Sequence, residues 1–384
     1  MPNLLPVNDT GEGFTIPYFD QWMAMPIIIR VAVVFIGIST IFILYIQFRI
    51  WFTRYKGYLL EKRVKKVLPV IDGLIAEEIL MKADHGKLDT NKIDFDAFKI
   101  PLFANNKNRQ ILIDRLISYR RSFTGSTGDH FKQLFLELEL DKLSAKKMKR
   151  RSWNMKVRGI RELTGMDISI SDVNILPLTN SKRHELRTEA RNAYIKLSKN
   201  EPFKFFDISS EPLLDWDQIE LFKTITTTEN IAIPNFARWV TYSTNKSIIS
   251  FCLKLIVHYN QQDAAPAVIK LLETKDHILR AEAINCLGKL KYEQAEPQLI
   301  HIYSNQPLNC QLEILKAVGR MGTGESTQFL RQEFMYSTDF DIRKNAAMSF
   351  VKNASPEFIN ELMEASNEEN QLILKHSMNP LIKY

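Results

Sequence analysis

The chain has 384 residues, and its formal net charge of +7 comes with 25% charged and 45% hydrophobic residues. That length exceeds one compact domain, and its three cysteines, with no Cys-x-x-Cys spacing, argue against a metal site or a disulfide framework. The positive excess sits in two segments: residues 51–70 hold six basic residues against one acidic and residues 146–163 hold eight against one, whereas residues 164–384 hold 24 against 27. This distribution disfavours a continuous phosphate-tracking surface, and with it nucleic acid as a partner.

In chain order, residues 1–26 read as a short extracytoplasmic segment and residues 27–52 as a transmembrane helix. Eighteen residues from Val31 to Phe48 carry no charge. At 1.5 Å per residue they span roughly 27 Å, close to the ~30 Å of a bilayer's hydrocarbon core. The segment has no polar face such as a buried core helix shows, and it lacks the basic lead and small-residue cleavage site of a signal peptide. Val31, Phe35, Ile38, Phe42, Tyr45 and Phe48 are its lipid-facing candidates, with Trp22 and Trp51 as interfacial aromatics. Before the segment, Arg30 is outnumbered by Asp9, Glu12 and Asp20; after it come Arg54, Lys56, Lys62, Arg63, Lys65 and Lys66. The positive-inside rule then places the N-terminus outside and the remainder in the cytoplasm, a single pass through the inner membrane, with the basic flank against anionic headgroups.

Residues 53–107 read as a basic juxtamembrane helix, Tyr55 to Lys82 with Pro69 as a candidate kink, followed by a polar linker from Ala83 to Lys107. Residues 108–145 read as a helical capping region, two helices around the turn 124–129. Residues 146–376 read as a helical-repeat solenoid and residues 377–384 as a tail.

The solenoid follows from a repeat. Leu186 to Leu197 (LRTEARNAYIKL) and Leu279 to Leu290 (LRAEAINCLGKL) match at seven of twelve positions and lie 93 residues apart, three steps of 31. Apolar residues fall at i, i+4, i+7, i+8 and i+11, one stripe of a helix. Steps of 31 or 32 carry the stripe through copies starting at Ile248, Cys310 and Ile342, with a weaker copy at Asp217 that keeps Leu221 and Ile225. Leu186, Ala190, Cys252, Leu279, Ala283, Leu287, Ile314, Val318, Ala346 and Phe350 are the expected repeat core. Between these helices Pro202, Pro234, Pro266 and Pro297 recur at 32, 32 and 31 residues, each ahead of an apolar run, as prolines that open first helices. Asp276 and Asp341 are expected to cap second helices. The fold expected is all-α, one transmembrane helix followed by five or six helix pairs.

The run Asp276, Leu279-Arg280, Ala283, Leu287-Gly288, repeated in part by Asp341, Ile342-Arg343, Ala346 and Phe350, resembles HEAT repeats, in the short bacterial form also found in phycobilin lyase-like proteins. Gln311 stands where the arginine is expected in the copy at 310, and the copy at 217 lacks it. The resemblance implies a scaffold binding another protein. Anchored bacterial members accompany envelope-building machinery such as membrane glycosyltransferases, so a membrane-associated protein partner is the expectation it carries.

Little in the chain reads as chemistry, and neither a catalytic residue, a cofactor site nor a metal site is expected. Cys252, Cys286 and Cys310 fall on the buried stripe. The single His184-Glu185 dipeptide falls short of the several pairs a di-iron HEAT hydroxylase uses. Gly125 to Gly128 and Gly322 to Gly324 lack a phosphate loop's Lys-Ser/Thr ending. The basic run Lys146, Lys147, Lys149, Arg150 and Arg151 reads as a solvated turn or as contact with an acidic partner or anionic lipid; with Arg158, Arg161, Arg187 and Arg191 it forms the candidate interaction face. The reading is a membrane-anchored, non-catalytic adaptor. Its alternatives are an enzyme or chromophore-lyase-like subunit holding a small molecule, and lipid or nucleic-acid contact through residues 146–163. Neither the partner's identity nor the oligomeric state follows from the sequence.

Overall fold

The computed structural model describes residues 25–81, 94–123, 125–198 and 201–381. Trp22, with most of the expected extracytoplasmic segment, part of the expected linker and the end of the tail lie outside them. The chain divides into two compact units, Met1–Arg115 and Leu116–Tyr384.

The first unit is dominated by α1, Ile27–Ile75, which a π turn at Ala76–Leu80 extends. At 1.5 Å per residue its 49 residues reach about 74 Å. It is long and apolar enough to cross a membrane, and among the described residues nothing covers its apolar window. Val31, Phe35, Ile38, Phe42, Tyr45 and Phe48 are all more than half exposed. The backbone stays helical past Tyr55, as expected of the juxtamembrane segment, and on through Pro69, whose missing N–H removes one hydrogen bond from an otherwise continuous ladder. Beyond the apolar window Phe48 stacks on Phe52 (6.1 Å), Trp51 stacks on Tyr55 (5.7 Å), and the Lys56 ammonium lies 4.2 Å from the Phe52 ring centroid. These are the i, i+4 neighbours of one helix face.

The far end of α1 changes character. Val67, Ile71, Ile75 and Ile79, four residues apart, are buried, as are Phe98, Phe103 and Leu112 of the same unit. Arg115 donates two hydrogen bonds to Asp72, at 2.6 and 2.9 Å, the bidentate geometry that makes such a pair strong. The described part of the expected linker holds 3₁₀ turns at Phe95–Phe98 and Pro101–Ala104 before α2, Asn106–Ser122, begins.

The second unit is an α-solenoid, without a strand among the described residues. After α3 (Ser126–Glu137) come eight helix pairs: α4 Leu140–Met148 with α5 Trp153–Gly165, α6 Asp172–Ile175 with α7 His184–Leu197, α8 Phe205–Ile208 with α9 Asp215–Thr227, and α10 Ala237–Tyr242 with α11 Lys246–His258. Then follow α12 Ala265–Lys270 with α13 His277–Leu290, α14 Glu296–Ile302 with α15 Leu308–Met321, α16 Thr327–Tyr336 with α17 Phe340–Asn353, and α18 Pro356–Glu364 with α19 Glu368–Ser377. The first pair begins at Leu140, ahead of the expected 146, and the pairs outnumber the five or six expected. Subtracting 31 from Leu186 lands on Met155 in α5; from there i+4, i+7, i+8 and i+11 are Gly159, Glu162, Leu163 and Met166, all buried. The stripe therefore runs one copy further back, hidden in the sequence by the charges around it.

All ten expected repeat-core residues are buried, each at most 8% exposed. Pro266 and Pro297 lie in the first turns of α12 and α14, whereas Pro202 and Pro234 stand three residues ahead of α8 and α10. Asp276 caps α13, accepting from the Ile278 and Leu279 N–H groups. The cap of α17 is Asp339, which accepts from Ile342 N–H; Asp341 is a first-turn residue. The correction is one of register, since residue 339 lies three before Ile342 as residue 276 lies three before Leu279, and a cap must precede the first helical turn.

Small residues set the spacing of second helices. A Cβ built on Gly288 would lie 2.5 Å from Ala317 Cα and 2.7 Å from its Cβ, so α13 and α15 meet backbone to backbone there. Gly288→Ala is expected to destabilise the solenoid by about 1–3 kcal/mol through overpacking, read as a lower urea midpoint by circular dichroism; an unchanged midpoint would mean the two helices are not in such close contact.

Candidate functional site

The second helices stack in sequence, and one column of their register serves the turns between pairs. Position i+1 holds Arg187, Gln218, Ile249, Arg280, Gln311 and Arg343, polar in every copy but that of Ile249. Arg187 Nη1 donates to the Ser181 carbonyl (2.8 Å) and lies 3.7 Å from the Glu211 carboxylate of the next pair. Arg280 Nε donates to the Thr274 carbonyl (3.1 Å), and its Nη1 donates to Gln306 at the next turn. Gln218 and Gln311 donate to the carbonyls of Leu213 and Tyr303 (3.2 and 3.3 Å), so the glutamines that depart from the sequence pattern perform the backward half of the arginine's work. Arg280→Ala is expected to cost about 1 kcal/mol by leaving half-buried acceptors unmet, and Arg280→Gln less; equal losses in thermal melts would contradict this equivalence.

A second set of links, from buried to half-exposed, joins the second helices to one another. Arg161 pairs with Glu189 (2.7 Å), Thr188 donates to Asp217 (2.8 Å), Lys254 donates to Gln218 (2.8 Å), Ser250 to Glu282 (2.9 Å) and Asn285 to Glu313 (2.6 Å). Each joins one second helix to a neighbouring one. Beside these links lies a groove of about 570 Å³ across α9, α11, α13 and α15, with Phe222, Leu253, Val257, Ile278 and Ala281 as its apolar lining. Lys254, His258, Glu282, Asn285, Lys289 and Glu313 stand around it. His258 meets the Phe222 ring edge-on at 4.8 Å, closing the groove between α9 and α11. No signal in the sequence pointed here, because these residues come from four helices spread over about ninety positions.

The sequence-predicted basic face is not one surface. Lys146, Lys149, Arg150 and Arg151 are exposed at the turn between α4 and α5. Arg158 is partly exposed and pairs with Glu162 (3.2 Å). Lys147 instead is buried, its ammonium paired with the buried Glu162, which also accepts from Ser144 Oγ at 2.6 Å. Arg187 and Arg191 are buried too, which removes them from any interaction face. Arg191 donates to the carbonyls of Thr179 (2.9 Å) and Glu211 (3.2 Å), fastening the turns before α7 and α9. Burial, and then repulsion from Arg187, push its pKa down to about 10, so it stays charged at neutral pH. Losing one partner of a buried pair strands a charge, so Lys147→Met is expected to destabilise by about 3–5 kcal/mol, and Lys147→Met with Glu162→Leu to recover most of it. A double variant no more stable in urea than the single one would remove this account.

The remaining candidates for chemistry serve structure. Cys252, Cys286 and Cys310 are buried free thiols. Burial raises all three, Cys286 to about 12, so few thiolates form near neutrality. Alkylation by iodoacetamide at pH 8 is expected to be negligible in the folded protein and rapid in urea; a thiol that reacts under native conditions would refute its placement. His184 accompanies the buried Asp217 (3.6 Å). Gly125, Gly322 and Gly324 have φ of 71, 77 and 81°, at turns between helices that need the left-handed region. Among the described residues no cluster of three or more metal-ligating side chains is present.

Compared with known proteins, the chain has no match among curated proteins. Its residues 237–310, from the start of α10 into α15, match the family model for HEAT repeats, so this stretch of the solenoid is similar to HEAT repeats, helical units suited to protein–protein interaction.

Proposed function

We propose that the protein is a single-pass, membrane-anchored adaptor whose cytoplasmic solenoid binds a protein partner, itself membrane-associated, through the exposed side of its second helices. The observation that carries this reading is the groove across α9, α11, α13 and α15, an apolar trough built from several repeats. Its polar side chains are linked to one another across helices, Ser250 with Glu282 and Asn285 with Glu313, rather than converging on one point as a reaction centre needs. That favours binding over catalysis. The volume falls in the ~300–1,000 Å³ range of small-molecule sites, which keeps a ligand-holding subunit as the second reading. The 31-residue pitch supports placing the repeats with the short bacterial variety, and so with assemblies that build the envelope.

Three features support the anchor. The apolar window of α1 is uncovered all round, aromatic side chains gather at its end from Phe48 to Tyr55, and the basic residues from Arg54 to Lys66 follow on an exposed helix. With the N-terminus outside, reporters fused after Tyr384 are expected to be active only in a cytoplasm-dependent form; periplasmic activity would overturn the orientation. Cross-linked pull-downs from intact membranes are expected to recover a protein partner with the full chain and far less without residues 1–52.

A further inference from the structure

The 31-residue register sorts charge along each second helix. At positions i+6 and i+10 from α7 to α17 there is no carboxylate, while Lys196, Lys223, Lys254, His258, Lys289 and Lys352 are exposed there. Carboxylates on the same side sit one to two turns earlier, at i+3. Glu189 takes Arg161, Glu282 takes Ser250, and Glu313 takes Asn285 and Lys316. Three of these acids are thus engaged within the fold; the fourth in the column, half-buried Glu220, lies one turn before Lys223. Lys196, Lys223 and Lys289 have no ion-pair partner among the described residues, and Lys254 donates to the neutral amide of Gln218. A segment with a net charge of −3 over residues 164–384 therefore presents a positive strip.

Lys196, His258, Lys289 and Lys352 lie in the last turns of their helices, where the helix dipole favours cations, while Lys223 and Lys254 lie a turn further in. The dipole does not explain the apolar trough beside it. Lys254 and Lys289 stand on the wall of the groove lined by Phe222, Leu253, Val257 and Ile278. Lys223 and Lys254 share position i+6, and Lys289 stands one turn further along its helix at i+10; successive helix axes lie about 8–10 Å apart and an extended chain advances about 3.3 Å per residue, so about every third residue of a chain crossing the helices obliquely meets a new cation while its neighbours cover the trough. A nucleic-acid strand carries a charge about every 3.4 Å, a denser array of charge than cations set one helix apart can match.

We propose that the strip and groove form a docking track for an acidic, apolar segment of the partner protein, its carboxylates on Lys223, Lys254 and Lys289 and its apolar side chains on Phe222, Leu253 and Val257. This rests on the adaptor reading and names the partner's chemistry. The test uses the full chain in intact membranes, with p-benzoylphenylalanine placed at His258 on the groove or at Gln328 on the first helix α16, and mass-spectrometric sequencing of what is captured. The expected adduct at 258 is a peptide rich in Asp and Glu with large apolar residues. It should fall roughly tenfold or more in K223E/K254E/K289E, as loss of several ion pairs implies, and persist in K223R/K254R/K289R, with both variants melting like the parent. A neutral or basic peptide, nucleic acid or lipid at 258, or capture indifferent to charge reversal, overturns the proposal. Protein capture at 328 alone overturns this track and leaves the adaptor standing; protein capture at neither position overturns both.

Discussion

The solenoid depends on how closely one second helix can approach the next. At Gly288 the approach reaches the backbone of Ala317, and Ala190, Cys252, Ala283 and Ala346 occupy the small-residue column of the same stripe. Dispersion falls off steeply with separation, so a pitch set by the smallest side chains also gives the densest core. It brings the turns of neighbouring pairs within one side-chain length as well. Arg187 and Arg280 use that reach to bond their own turn and the next, which converts a stack of hairpins into a coupled array. Where the stripe turns polar, in α9 with Asp217 and Thr224, packing is replaced by hydrogen bonds from Thr188 to Asp217 and from Thr224 to Asn192.

Charge follows the same geometry rather than the composition. Two basic residues of the run 146–151 are separated by a single step of helix rotation, yet Lys147 is buried against Glu162 while Lys146 is in solvent. Buried ion pairs contribute little net stability but are costly to break, so Lys147, Arg187 and Arg191 specify where turns sit more than they hold the protein together. The exposed cations lie at the other end of the second helices, in a segment whose summed charge is slightly negative. Net charge describes a chain's solubility and its long-range field; a binding face depends on which charges share one side of a helix.

The first unit shows how one helix can do two jobs. From Val31 to about Phe48 the side chains of α1 carry no charge on any face and are covered by nothing among the described residues; from Val67 to Ile79 one stripe of apolar residues is buried. Between them the aromatic pairs Phe48 with Phe52 and Trp51 with Tyr55 mark the change. The helix is unbroken across it, since neither Gly57 nor Pro69 interrupts the backbone.

Periodicity is a local property, and what depends on it was legible in the residues alone: the all-α solenoid, the stripe from Leu186 to Phe350, the burial of the three cysteines, and the apolar span of α1. A helix turns 100° per residue whatever surrounds it, so spacing fixes which side chains share a face. The tertiary structure decided the rest. Whether Lys147 or Lys146 is buried depends on what α5 places opposite, whether Gln311 can stand in for arginine depends on the distance to the Tyr303 carbonyl, and the groove exists only because α9, α11, α13 and α15 lie side by side. Those are relations between residues some thirty positions apart, set by interhelical packing that no single helix's sequence encodes.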